Sequence, residues 1–191
     1  NSVGRIVAVE IDPILVSTLN NDITDNVEII SNDFLMFYPK KFIYENEYKI
    51  IGNLPYNITS PVIFRILETT GWSLAVFMVQ KEVAERISAK PGSKIYGRLS
   101  VMAQSQAKVE YHFQVSPSVF LPKPLVNSAV ISLTPIKSQI IDHEYFSSIV
   151  RKAFSQRRKK LRNSLKDELS IHLKEKLGNL RPETLSVSNF I

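Results

Sequence analysis

Arg5-Ile6-Val7-Ala8-Val9-Glu10-Ile11-Asp12 is a short, unbroken, β-branched apolar run that ends in acids, and Pro13-Ile14-Leu15-Val16-Ser17-Thr18-Leu19 behind it has helical composition. The pair reads as a strand feeding a helix. The pattern recurs along the chain. Residues 26–33 form a second such run, and residues 48–53 a third, followed by a helix over 61–68 with Pro61 in its first turn. Residues 73–79 are a fourth apolar run leading into a helix over 80–88. Strands alternating with helices predict a parallel sheet covered on both faces. After a loop holding Pro91 and Gly92, residues 97–106 read as a further helix, and 108–115 and 127–133 as two late strands. The proline-punctuated segment 116–124 joins those strands, which predicts an antiparallel edge. Beyond Pro135 the character changes: 136–142 reads as a linker, 144–154, 158–168 and 170–177 are helical in composition, and Gly178 is a helix stop. The predicted organisation is an α/β domain over 1–136 and a small all-helical domain over 137–191.

Composition narrows the classes of function. With 44% apolar and 22% charged residues, 191 residues suffice for a packed core. No uninterrupted apolar run approaches the ~20 residues that span a bilayer, and residues 1–5 lack a charged-then-apolar leader pattern. A cytoplasmic protein with no membrane partner is expected. The chain has no cysteine, which excludes disulfides, thiolate zinc sites, iron–sulfur clusters and a cysteine nucleophile within it. The net charge of +6 is unevenly placed: residues 1–136 carry 12 Lys and Arg against 12 Asp and Glu, whereas 137–191 carry 12 against 6. A neutral body with a basic module suits a polyanionic partner.

Ligands of open parallel sheets bind outside the carboxyl ends of the strands, so polar residues where strands stop are candidates. Glu10, Asp33 and Asn53 sit there. Glu10, with Asp12 as the alternate, suits ribose hydroxyls, though helix capping and solvation are ordinary uses for such an acid. Asp33, ahead of the apolar Phe34-Leu35, could accept from an adenine amino group or simply cap a turn. The sharpest signal is Asn53-Leu54-Pro55-Tyr56-Asn57. It places an amide oxygen, a backbone carbonyl freed by the proline, and an aromatic face in one short loop. Two acceptors and a ring suit a planar aromatic amine, whose delocalised lone pair becomes nucleophilic once the acceptors bias its geometry. Methyl transfer from a sulfonium donor is the chemistry such a loop could position, with no metal required. A plain proline turn after a strand is the alternative.

The loop does not stand alone. Asn53-Leu54-Pro55-Tyr56-Asn57-Ile58-Thr59-Ser60-Pro61, Val79-Gln80-Lys81-Glu82-Val83-Ala84-Glu85-Arg86, Tyr96-Gly97-Arg98-Leu99-Ser100-Val101, Phe120-Leu121-Pro122-Lys123-Pro124-Leu125-Val126-Asn127-Ser128-Ala129-Val130 and Gln156-Arg157-Arg158-Lys159-Lys160-Leu161-Arg162-Asn163-Ser164-Leu165 occur in that order. Together they resemble the bacterial ribosomal RNA small-subunit adenine dimethyltransferase family over nearly the whole chain. The resemblance implies a Rossmann-like methyltransferase sheet followed by a small helical domain, with S-adenosylmethionine as donor and no metal. It implies dimethylation of the exocyclic amines of two adjacent adenosines in the 3′-terminal hairpin of 16S rRNA, within the immature small subunit, by a monomeric enzyme. Carried over by position, Glu10 is the ribose-binding acid, and Asp33 and Phe34 contact the donor's adenine. Asn53, Leu54, Pro55 and Tyr56 form the catalytic motif, with Asn53 near both donor and target amine and Tyr56 stacked on the target base. Phe120 is the second aromatic on that base.

The basic run Arg157-Arg158-Lys159-Lys160-Leu161-Arg162 places five cations in six positions. A solvated helix face is the ordinary reading of a charge run, but mutual repulsion in an already basic module favours phosphate contacts, with Arg86, Lys94 and Arg98 as weaker candidates. His112, His143 and His172 are isolated and read as structural or surface residues. The family begins with a strand and a glycine-rich turn that residues 1–191 lack, since residue 1 falls just before the second strand. That first strand lies between the second and fourth strands of the sheet, and each backbone group it leaves unpaired costs ~1–3 kcal/mol. The stretch 1–191 is therefore expected to lack turnover by itself, and to rearrange, associate or belong to a longer protein; a final helix is expected to be clipped at Ile191. Three rivals are weighed. A large-subunit rRNA adenine dimethylase conferring antibiotic resistance shares the catalytic motif, and a non-catalytic RNA-binding assembly factor could keep the fold. A DNA adenine methyltransferase fits less well because Leu54 stands where those enzymes usually carry a second proline.

Overall fold

A computed structural model describes residues 4–43 and 47–191. The chain divides into two compact units, Asn1–Tyr48 and Lys49–Ile191. In the first, β1 (Ile6–Glu10) and β2 (Val27–Ser31) run parallel, with Ile6 paired to Val27 and Glu10 to Ser31. Between them lies α1 (Pro13–Leu19), which starts at Pro13 because Asp12 Oδ1 accepts the Ile14 amide at 2.8 Å. Phe37, buried, stacks with Phe34 and Phe42 at centroid distances of 6.3 and 5.1 Å. α1 buries no residue, and Ile14 is 74% exposed.

The larger unit is built on a four-stranded sheet. β3 (Tyr48–Asn53), β4 (Trp72–Gln80), β5 (Ala107–Val115) and β6 (Ser128–Pro135) are ordered β3-β4-β6-β5. β6 is antiparallel to both β4 and β5. The antiparallel element expected from the sequence is present, but β6 is inserted between β4 and β5, so that of the two late strands β5 alone lies at an edge. The reason is burial: Ala129, Ile131 and Leu133 of β6 are 0% exposed and pair with Val79, Phe77 and Ala75 of β4, whereas β5 is exposed over most of its length. Among the described residues no ladder joins β1 to β3.

Helices complete the unit. α2 (Thr59–Leu67) buries Val62, Ile63, Ile66 and Leu67, one apolar stripe at helical spacing. α3 (Lys81–Ile87) and α4 (Arg98–Gln104) are tied together: Ser100 Oγ donates to the Arg86 carbonyl at 2.5 Å and accepts the Gly97 amide at 3.0 Å, and Gln104 donates to the carbonyls of Ile87 and Ala89. The Tyr96-Gly97-Arg98-Leu99-Ser100-Val101 string is therefore a docking device, with Tyr96 fully buried beneath it and its phenol pushed up to about 12 by that burial. The C-terminal stretch is all helical: α5 (His143–Ser155), α6 (Leu161–Ser164), α7 (Ile171–Leu177) and α8 (Val187–Phe190). Phe146 and Val150 of α5 share a core with Tyr96, Val101 and Met102, while Ala153, Leu161, Leu165 and Leu185 form a second cluster. Among the described residues no helix is long and apolar enough to cross a membrane.

One ion pair braces the helical stretch. The Lys152 ammonium donates to the Glu168 carboxylate, and that hydrogen bond holds Glu168 below the usual carboxylate range and Lys152 above the usual ammonium range. A lowered carboxylate contributes stability above its unfolded value of ~4.3 that is lost as pH falls through the folded value. Glu168→Gln is therefore expected to flatten the acid side of the stability profile. Urea midpoints at pH 7 and pH 3 check this: wild type should lose more than the variant, and equal losses would dismiss the pair.

Candidate functional site

Glu10 and Asp33 stand at the carboxyl end of the β1–β2 pair, where the two parallel strands release the chain together. Glu10 is the last residue of β1, and the Asn32 amide donates to its carbonyl at 3.0 Å. One oxygen of each acid is braced by backbone. Glu10 Oε1 accepts the amides of Ile11 and Asp12 at 2.8 and 2.9 Å, and Asp33 Oδ1 accepts the Leu35 amide at 2.9 Å, capping the turn Phe34–Met36. Capping is thus part of what Asp33 does, and Asp12 is taken up by the start of α1. Each of Glu10 and Asp33 retains a second carboxylate oxygen held in a fixed direction. Fixed acceptors at a strand end fit the ribose hydroxyls and amino group of a nucleoside, so the residues present match the nucleoside half of S-adenosylmethionine.

The second constellation lies in the larger unit. Asn53 ends β3 and is exposed. The Leu54 amide donates to the Met78 carbonyl of β4 at 3.1 Å, which pins the loop to the sheet. The Pro55 carbonyl accepts the Ile58 amide at 3.1 Å and the Thr59 hydroxyl at 3.2 Å, turning the chain into α2. The Leu54 carbonyl, ahead of the proline, is a backbone acceptor in the same loop. Tyr56 is half-buried and its phenol oxygen lies 2.8 Å from Ser128 Oγ, at the buried start of β6. Asn53, Leu54, Pro55 and Tyr56 line an open cleft of about 300 Å³ with Phe120, Pro122 and Pro124. A Cβ on Gly52 would sit 3.2 Å from Leu54 Cδ2 and 3.5 Å from Phe77, so glycine lets β3 lie close beneath the cleft.

Ser128 is a site residue that sequence reasoning passed over, although it stands inside one of the quoted motifs. Tyr56→Phe is expected to cost about 0.5–1.5 kcal/mol of stability, the net worth of one hydrogen bond, while retaining the ring. Chemical denaturation checks it; a loss of several kcal/mol would mean the hydroxyl has a larger structural role.

Most of the basic run is not on a helix: only Leu161 and Arg162 fall in α6. Residues 158–168 were expected to be helical, but only Leu161–Ser164 is, and 156–160 form a turn between α5 and α6. Like charges at three- and four-residue spacing repel on a helix, and Lys160 is extended at φ −69° and ψ 149°. The turn is anchored by Leu161, buried, whose amide donates to the Leu180 carbonyl at 2.9 Å, and by the Arg162 amide on the Gly178 carbonyl at 3.0 Å. Arg158, Lys159, Lys160 and Arg162 are exposed. Arg157 is half-buried and directed at the Ser93 carbonyl, 3.3 Å away. None of the five lines the cleft. Of the weaker candidates, Arg86 bonds Glu82 at 2.5 Å, Arg98 lies over the Phe64 ring at 5.2 Å, and Lys94 is exposed. His112 bonds Ser132 at 2.8 Å, a structural role.

Comparison with known proteins agrees with this geometry. The ribosomal RNA adenine dimethylase family matches residues 1–182. A "Ribosomal RNA small subunit methyltransferase A" of Pseudomonas fluorescens is 40% identical over 201 residues, covering 100% of this chain and 74% of its own length. The protein of that name from Chlorobium phaeobacteroides is 42% identical over 189 residues, covering 97% and 70%. Among solved structures, a dimethyladenosine transferase from Plasmodium falciparum superposes with a TM-score of 0.82 at 23% identity, over 97% of this chain and 79% of that one. The 23S rRNA methyltransferase ErmE superposes at 0.68 and 24% identity, over 94% and 78%. The structural likenesses carry the fold, and the sequence matches carry the lineage: this chain belongs to the ribosomal RNA adenine dimethylase family.

Proposed function

We propose that this protein dimethylates the N6 amines of two adjacent adenosines in the 3′-terminal hairpin of 16S rRNA, within the immature small subunit. The observation that carries the reading is the cleft in which Asn53, the Leu54 carbonyl and Tyr56 are held together beside Phe120. Asn53 Oδ1 and the Leu54 carbonyl accept the two N–H bonds of the target amine, and the rings of Tyr56 and Phe120 hold the faces of the extruded base. With its hydrogens fixed, the amine directs its lone pair away from the ring plane. S-adenosylmethionine, when bound, supplies an electrophilic methyl; Glu10, Asp33 and Phe34 are assigned to its nucleoside end. At each transfer the amine nitrogen would form its bond to the methyl carbon as the methyl–sulfur bond breaks, the sulfur leaving as the neutral thioether S-adenosylhomocysteine and the nitrogen releasing one proton to solvent. Asn53 then holds the single remaining N–H for the second round. Residues 1–136 make up the catalytic domain and 137–191 the RNA-binding domain, whose exposed cations Arg158, Lys159, Lys160 and Arg162 meet the RNA backbone. The enzyme acts as a monomer in the cytoplasm.

Calorimetric titration of the host-purified protein with S-adenosylmethionine tests the cofactor assignment. Glu10→Ala is expected to weaken binding by about ten- to a hundredfold, the worth of a charged hydrogen bond. Unchanged affinity would remove Glu10 from the site. A non-catalytic assembly factor would bind immature subunits but not the donor.

A further inference from the structure

We infer that Arg157 is a positioning residue that fastens the basic turn to the loop ahead of α4, so that Lys94 joins Arg158, Lys159, Lys160 and Arg162 in one composite surface for an RNA backbone. The inference rests on the RNA-binding reading of the turn. Sequence groups Arg157 with its cationic neighbours, but the structure separates it from them. Its Nη2 donates to the Ser93 carbonyl at 3.3 Å, and its Nε lies 3.9 Å from Glu183 Oε2. That carboxylate oxygen is buried and accepts no hydrogen bond. Among the described residues Arg157 is the cation paired with it. A buried carboxylate oxygen without a donor is costly, so a guanidinium drawn away to a phosphate would leave it uncompensated.

Other contacts close the same knot. The Gly92 amide, at a positive φ of 85°, donates to the Glu183 carbonyl at 2.6 Å. Lys160 reaches Asn179, and the amides of Leu161 and Arg162 bond the carbonyls of Leu180 and Gly178. Three segments, 92–93, 157–162 and 178–183, are thereby stitched together. Lys94 follows Ser93 directly, Arg158 follows Arg157 directly, and both are exposed. The fastening therefore brings cations of two separate loops onto neighbouring surface.

Salt dependence separates a fastener from a phosphate ligand. Each phosphate contact adds roughly 0.7–0.9 to the slope of log affinity against log salt. Binding of the 191-residue chain to a 3′-terminal 16S rRNA hairpin transcript would be measured between 50 and 300 mM salt, with folding of each variant confirmed by its melting transition. Lys94→Ala and Arg158→Ala should each lower the slope by about that amount. Arg157→Ala should weaken binding several-fold at every salt concentration and leave the slope unchanged, and Arg157→Lys should not restore affinity although it keeps the charge. Glu183→Gln should reproduce the loss, and the double variant should lose no more than either single one. A slope lowered by Arg157→Ala as by Arg158→Ala, full affinity in Arg157→Lys, or additive losses would overturn the assignment. If neither Lys94→Ala nor Arg158→Ala moves the slope, the RNA-binding reading of the turn itself fails.

Discussion

Asn53→Ala is expected to lower methyl transfer by about 10²–10³-fold, the usual cost of removing one preorganised polar group from a reacting centre, while RNA affinity stays within about twofold. The amide is exposed at the end of β3 and is not part of the core, so its loss should leave the fold intact. It is also remote in sequence from the basic turn, so the RNA contacts proposed there are untouched. Replacing the gene with the variant and quantifying dimethyladenosine in the 16S rRNA 3′ fragment measures turnover; a gel-shift titration with immature subunits measures binding. Retained turnover with lost binding would reverse the roles assigned to the two halves of the chain. Asn53→Asp is informative beside it, because it keeps an acceptor where Ala does not.

Neutralising Arg158, Lys159, Lys160 and Arg162 together is expected to reduce the salt slope of RNA binding by about 3 and most of the affinity at low salt. Four phosphate contacts make the wild type lose about 50- to 150-fold in affinity between 50 and 200 mM salt, a dependence the variant should largely lack. All four side chains are exposed, and the turn keeps Arg157, the buried Leu161 and two backbone amides as anchors when the Lys160–Asn179 contact is lost, so folding should survive. An unchanged slope would return the run to an ordinary solvated surface. Fluorescence anisotropy with the hairpin transcript, repeated across salt, decides between them.

Local chemistry explains what could be read from the chain in advance. The alternation of β-branched runs with helical segments was legible because short apolar runs bounded by polar residues mark strands, but the expected burial on both faces is not general: β4 is buried or half-buried throughout, whereas every second residue of β3 is exposed. Pro13–Leu19 and Tyr48–Asn53 were placed to the residue, since a capping aspartate and a proline mark the first and Asn53-Leu54-Pro55 ends the second. The cleft was legible in part. Asn53, Leu54, Pro55 and Tyr56 are contiguous, whereas their meeting with Phe120 and Ser128 depends on β6 entering between β4 and β5. No periodicity reveals that order. The basic run was placed on a helix because Arg and Lys have good helix propensity, but charge repulsion and the tertiary anchor at Leu161 override it. Arg157 could not be told from Arg158 by sequence, because the difference lies in Ser93 and Glu183, 64 residues before and 26 after it. Glu10 and Asp33 were candidates by their strand-end positions, which the resemblance made specific, and the role of Phe34 came from the resemblance alone; the structure adds that both acids are braced by backbone amides.

The most direct test of the central proposal is mass-spectrometric analysis of the 3′-terminal fragment of 16S rRNA from cells in which the gene encoding this chain is disrupted. Two adjacent adenosines without N6 methyl groups, restored by the wild-type gene and not by Asn53→Ala, are the predicted result. Fully dimethylated adenosines in the disrupted strain, or a missing methyl on large-subunit rRNA instead, would contradict it.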